Sequence, residues 1–270
     1  MSQLGLGLGL TKGGVVPFNP LSLDPYLLFD TRSSMIGTFE NPTLDLDPSK
    51  PDSLNVITAT RAGVATYTDA NGVIQEAADD TVRVDYVDGV PMILVEPSAT
   101  NLLYYSEDFS QSSWDKQSGG TGVAPVVTLN AAESPDGTQN AAKIVFDTGS
   151  GTSTGDISTL EDLFSATNGA SYTQSIYLKG ETGGEKILLR HAGNSSYTTV
   201  TLTTDWARYE VTETASGSSG YYTIGLRQGL GGVVINSKIT VYAYGAQVEA
   251  GSVATSYIPT SGSTVTRAAD

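Results

Sequence analysis

Between about residue 100 and residue 259 the chain breaks into short runs that alternate apolar and polar residues. Each run is closed within a few residues by Gly, Ser, Asn or Asp. This rhythm is the strongest constraint on the fold. A period of two keeps one face of a strand apolar, and turn residues at short intervals bring the next strand back beside or above it. The runs are 122–129, 141–146, 171–179, 186–191, 198–202, 207–212, 221–227 and 233–248. Eight segments with no competing 3.6-residue pattern predict an all-β sandwich of the jelly-roll kind. With 39% apolar residues the chain is too hydrophobic to read as disordered, and its 30 glycines suit turns better than helices. Three acid pairs, Asp79-Asp80, Glu107-Asp108 and Glu161-Asp162, are read as loop acids.

Upstream, residues 46–100 read as a smaller β region that connects or oligomerises subunits. Its strand-like runs are 55–60, 64–68, 73–75, 81–87 and 91–95. They are punctuated by a turn at Asp69 to Gly72 and by Asp88-Gly89, a strong two-residue hairpin signal. Residues 1–45 read as an extended anchoring arm. Leu4 to Leu10 alternates Leu with Gly, a strand with one bare face, and Pro17, Pro20, Pro25 and Pro42 exclude a long helix or a central strand. The opening residues lack the charged start of a secretory signal, and no run of eighteen apolar residues exists to span a membrane, so no membrane insertion is expected. Residues 260–270 read as a Ser/Thr/Gly-rich C-terminal tail.

Charge and residue inventory remove several functional classes. A net charge of −15 with no Lys/Arg cluster opposes nucleic acid and anionic membranes. With no cysteine there is no disulfide, thiolate metal site or Cys nucleophile. The one histidine, His191, ends an apolar-alternating strand and reads as a sheet residue. No phosphate-binding loop, dinucleotide fingerprint or zinc spacing is present, so neither an enzyme nor a cofactor is expected. What the chain does carry is 14 tyrosines against six phenylalanines. Sugar sites need flat aromatic faces for pyranose rings, flanked by amide, hydroxyl and guanidinium groups. The best cluster of that kind is Arg190, His191, Asn194, Tyr197, Tyr221, Tyr222 and Arg227.

Several longer phrases carry a resemblance. They are Phe109 with Trp114, Asp136-Gly137-Thr138 with Ala142-Lys143, Gly169 to Lys179, Leu202 to Tyr209, Gly245 to Glu249, and Ser256 to Thr260. Before them stand Thr60 to Ile74, Arg83 to Tyr86 and Leu94 to Leu102. From about residue 55 onward this set resembles a phage virion family of head spikes and tail fibres, also seen in phage-like gene transfer particles. Its jelly roll is similar to carbohydrate-binding modules. The resemblance implies a non-enzymatic structural protein assembled in the host cytoplasm and displayed on the virion exterior. It would be a homo-oligomer, a trimer first and a pentamer second. The arm would be anchored to capsid or tail proteins, and the jelly roll would bind host surface polysaccharide. A capsid decoration protein without glycan binding and a tail-fibre accessory module are the alternatives. The resemblance also implies that Trp114 and Trp206 are mostly buried. This class of jelly roll often holds a structural calcium, for which Glu107 or Asp108 with Glu249 or Gln247 are the candidate ligands.

Overall fold

The computed structural model describes residues 49, 57–190, 197–229 and 236–270. The arm at 1–45 lies outside them, as do His191 and Asn194. Two hairpins come first, β1 (Ala65–Thr68) with β2 (Ile74–Ala77) and β3 (Arg83–Val87) with β4 (Val90–Leu94). The second turns on Asp88-Gly89, both at positive φ (52° and 77°), which matches the right-handed twist of the paired strands. β5 (Ala99–Asn101) leads into β6 (Asp115–Gly119), β7 (Val123–Ala132), β8 (Ala141–Asp147), β9 (Ile157–Ser165) and β10 (Ser171–Gly180). Then follow β11 (Lys186–Arg190), β12 (Thr198–Thr201), β13 (Ala207–Thr214), β14 (Ser219–Arg227) and β15 (Lys238–Ala250). β16 (Val265–Arg267) returns to pair with β5.

The protein is all-β. Two antiparallel five-stranded sheets run in the orders β13-β10-β15-β8-β7 and β12-β11-β14-β9-β6. From β8 to β15 the chain crosses repeatedly between the two sheets, with β11 and β12 a hairpin within one of them, and β15, the last strand of the sandwich, lies between β8 and β10. This is jelly-roll topology, with β6 and β7 added at the edges. Alternation builds the interior. Ala142, Ile144 and Phe146 of β8 meet Tyr222, Ile224 and Leu226 of β14 and Ile176 and Leu178 of β10 in one cluster. Trp114 is buried there with its ring 5.0 Å from Phe109 and 5.4 Å, edge-on, from Tyr222. Its indole N–H donates to the Tyr105 carbonyl at 2.9 Å.

A bulge in β15 decides which side chains point where. Ser175 pairs with Gln247 and Tyr177 with Tyr244, so Gly245 and Ala246 together oppose the single Ile176. Gly245 takes φ +64°, the left-handed conformation that such a bulge assigns to glycine. The phase of the strand reverses there. Val241 and Ala243 face inward before the bulge and Ala246 and Val248 after it, while Tyr244, Gln247 and Glu249 face the opposite side.

That opposite side is covered by the N-terminal hairpins and the chain's end. Ile74 packs with Tyr244 and Tyr257, with Tyr177 and Trp206 at the margin. Thr66 Oγ1 donates to the Tyr257 carbonyl at 2.6 Å. Beside them three arginines, Arg61, Arg83 and Arg267, are buried around Glu96 and Asp270. Arg61 reaches Asp270 at 2.6 Å, Arg83 reaches Glu96 at 2.9 Å and also Asp270, and Arg267 lies 3.4 Å from Glu96.

Three expectations are corrected. Glu161-Asp162 is no loop: it sits in the middle of β9, a strand inside its sheet that the two acids disguise in sequence. The 260–270 segment is more than a tail, because it supplies a strand, β16, with the buried Arg267 and the half-buried Asp270. Trp206 is only half-buried, lying on the outer surface with its indole N–H on the Glu133 carbonyl at 3.1 Å and the Lys179 ammonium 4.9 Å from its ring. Lys179 pairs with Tyr242 across β10 and β15, and its ammonium lies 5.3 Å from that ring on the same surface.

Candidate functional site

The outer face of the β12-β11-β14-β9-β6 sheet gathers four of the residues named from sequence. On β14 the two-residue period turns Tyr221, Thr223 and Arg227 outward and Tyr222 inward. Tyr221 is exposed (41%) and its cross-strand partner Leu163 more so (58%), an apolar pair at one end of the face. Arg190 stands opposite Thr223, which in turn stands opposite Glu161. Its guanidinium carbon lies 5.7 Å from the Tyr221 ring centre and 5.4 Å from that of Tyr197. Tyr197, just ahead of β12, presents its hydroxyl to both arginines and accepts from Arg227 Nη1 at 3.0 Å and Arg190 Nη1 at 3.5 Å. Arg227 is fixed from behind by Nε donating to the Thr154 carbonyl at 2.8 Å.

Leu163, Tyr221, Arg190, Tyr197 and Arg227 therefore form one stripe along β14. Six residue steps separate Tyr221 from Arg227, about 20 Å of extended strand. Buried Thr159, Leu188 and Thr223 form its floor, and the Thr223 hydroxyl has no partner among the described residues. The stripe offers an apolar end, a phenol and fixed guanidinium donors, with Glu161 as an acceptor beside them.

Tyr222 is corrected. Its side chain is fully buried and its hydroxyl donates to the Ser175 carbonyl at 3.0 Å, so it is a core residue with no face to offer a ligand. The calcium candidates all have hydrogen-bond partners within the protein. Glu107 accepts from Tyr257 at 2.8 Å and Asn140 at 3.3 Å, and Asp108 from Ser110 and Gln111 within its own turn. Glu249 accepts from Thr255 and Gln247. Among the described residues no group of three or more His, Cys, Asp or Glu gathers.

Sequence reasoning missed the junction between the hairpins and the jelly roll, where two hollows open. One, of 230 Å³, holds Glu107 and Asp136 with Tyr244 and Tyr257. Burial pushes the Glu107 carboxyl up. Asp136 is held below the ordinary range although burial opposes it, because Ser134 and Thr138 donate to it. Two carboxyls pushed apart can signal acid-base chemistry, but here the oxygens are occupied. Tyr257 and Asn140 take Glu107, and Ser134, Thr138, Asn140 and Tyr244 take Asp136. The pair is a brace. The other hollow, of 440 Å³, lies between the hairpins and the outer face of β10 and β13. The alternation of β10 was the available signal for it, since with Ile176 and Leu178 inward, Tyr177 has to face the other way.

No protein family and no curated protein matches the chain in sequence. Solved structures of similar shape include the tailspike protein 4 enzymatically active domain of bacteriophage CBA120 (10% identity, TM-score 0.37, covering 56% of this chain and 21% of that one). A family 61 carbohydrate-binding module in complex with β-1,4-galactotriose is another (15%, 0.36, 55% and 97%). A third is a xylan-binding domain of Xyn10C from Paenibacillus barcinonensis (15%, 0.35, 58% and 99%). At TM-scores below 0.5 these likenesses carry no argument. The strand order alone defines the class, a jelly-roll β-sandwich with a hairpin cap on one sheet.

Proposed function

We propose that this is a non-enzymatic glycan-binding protein whose jelly roll holds polysaccharide along the β14 stripe. The observation that carries the reading is the convergence of Arg190 and Arg227 on the Tyr197 hydroxyl next to the exposed Tyr221–Leu163 pair. A sugar ring is amphipathic. It lays an apolar face on an aromatic or aliphatic surface and exchanges hydrogen bonds at its edge, and the stripe provides both along a length greater than one ring. The sequence resemblance supports the setting: a virion head spike or fibre subunit, anchored through residues 1–45 and oligomeric, with host surface polysaccharide as its target.

The test is retention on immobilised host capsule or lipopolysaccharide and on a glycan array. Affinity per subunit is expected at millimolar to micromolar, about 4 to 8 kcal/mol. Tyr221→Ala and Arg227→Ala each weaken it about tenfold while the far-UV spectrum stays unchanged. Retention survives moderate salt, because stacking and neutral hydrogen bonds carry it in an acidic chain. If neither array nor whole host cells retain the oligomer, the reading is wrong and a decoration role takes its place.

A further inference from the structure

The 440 Å³ hollow lies on the other sheet from the β14 stripe, between the β1 and β3 strands of the cap and the outer face of β10 and β13. Its volume falls within the range of small-molecule sites, roughly 300–1,000 Å³. We infer that it is a second, independent ligand site, and that its ligand is a neutral polyhydroxylated ring, a single sugar unit.

The argument comes from the chemistry of the walls. Tyr67 and Tyr177 give the hollow aromatic surface. Arg208 stands opposite Tyr177 in the β10–β13 register, with its guanidinium carbon 5.4 Å from that ring. Two hydrogen bonds fix the guanidinium, to the Thr255 carbonyl at 2.7 Å and to Ser175 Oγ at 2.9 Å. On the cap side Asp85 accepts from the Thr68 amide at 2.5 Å, with the Arg83 charge acting on it from farther away. Glu210 lies beyond Arg208 on β13.

These walls favour a neutral ligand. An anion would meet Asp85 and Glu210. A cation could approach the same carboxylates, but the charge of Arg208 opposes it and already occupies the Tyr177 ring. A neutral polyol fits. Its hydroxyls donate to the carboxylates and accept from donors, and its carbon face covers a phenol. Burial raises the Asp85 carboxyl above the ordinary range, with the Glu96 charge adding to it. This is a carboxylate short of water, and hydroxyl donors from a ligand would stabilise it.

The hollow and the stripe share no residue, so either reading can fail alone. The experiment is saturation-transfer NMR on the full chain with the methyl glycosides of glucose, galactose, mannose and N-acetylglucosamine, and with tetramethylammonium chloride. At least one glycoside is expected to receive saturation on its ring protons with millimolar affinity. Tyr67→Ala and Asp85→Asn weaken it at least fivefold. Glu210→Gln, an exposed change that leaves the fold alone, weakens it in the same direction, and Tyr104→Ala, exposed and outside both sites, binds as the parent does. The inference is overturned if no glycoside binds the parent protein, if binding is unchanged in all three hollow variants, or if tetramethylammonium alone receives saturation.

Discussion

Tyr221 and Tyr222 are adjacent and chemically identical, yet one lies on the surface stripe and the other in the core, because a strand sends successive side chains to opposite faces. The same rule on β9 turns Leu163 out and its neighbour Asp162 in. Asp162 occupies an inward position between Leu160 and Phe164. Its Oδ1 accepts from the Leu163 amide at 2.8 Å, while Oδ2 has no hydrogen-bond partner at normal distance among the described residues and only the Ser113 hydroxyl nearby. Burial pushes this carboxyl up to about 6. A folded-state value above the ordinary 3.8 means that the fold favours the protonated form. The penalty is absent below about pH 4, grows through the window from 4 to 6, and is complete above it. Stability is therefore expected to fall across that window by about 1–2 kcal/mol after allowing for partial solvent access. Asp162→Asn should flatten this slope and stabilise the protein at pH 7. Urea melts of both forms from pH 4 to 8 check it, and equal slopes would show that the carboxyl is not the source.

At the scale of elements, the short β16 does more than its three residues suggest. It carries Arg267 into the cap and brings Asp270 between Arg61 and Arg83. Hydrogen bonds and the Arg83 charge hold the Asp270 carboxyl below its ordinary range although burial opposes them. The Glu96 amide also donates to it at 2.9 Å. Three buried cations with two anions need every partner. Removing one anion leaves charge buried without compensation, at a cost of about 3–5 kcal/mol. Asp270→Ala should therefore release the cap before the jelly roll. Hydrogen exchange is expected to quicken in β3, β4 and β16 and to stay slow in β14 and β15. Uniform quickening would mean that cap and sandwich unfold as one unit.

For the whole molecule, the question is what lies against the sheet edge. β7 is the edge strand of the capped sheet, and Val123 and Val126 on it are 56% and 60% exposed. An edge strand with exposed β-branched residues can associate with another chain. Weak single sites also gain orders of magnitude in avidity when subunits are linked. The expected species in light scattering is a trimer, three times the 28.2 kDa chain, with a pentamer second. Val126→Lys should shift it toward monomer. A 28.2 kDa species at micromolar concentration would count against self-association of this chain alone.

Sequence by itself determined the fold class and most of the strands. Alternation and turn chemistry act over a few residues, so β8, β10, β14 and the Asp88-Gly89 hairpin are visible without knowing the partners they meet. It also placed Arg190, Tyr197, Tyr221 and Arg227 together, because the strands that carry them are short and regular. The tertiary structure alone decided three other things. β9 is a strand because its neighbours β6 and β14 pair with it, which outweighs the loop-like look of Glu161-Asp162. Tyr222 is core because the register of β14 points it at Trp114. The junction hollow exists because a bulge at Gly245 reverses the phase of β15, and because β1 to β4 and the far end of the chain at β16 close over the face that reversal exposes. Local periodicity cannot carry that information, since burial is a property of two surfaces and a single strand specifies only one of them.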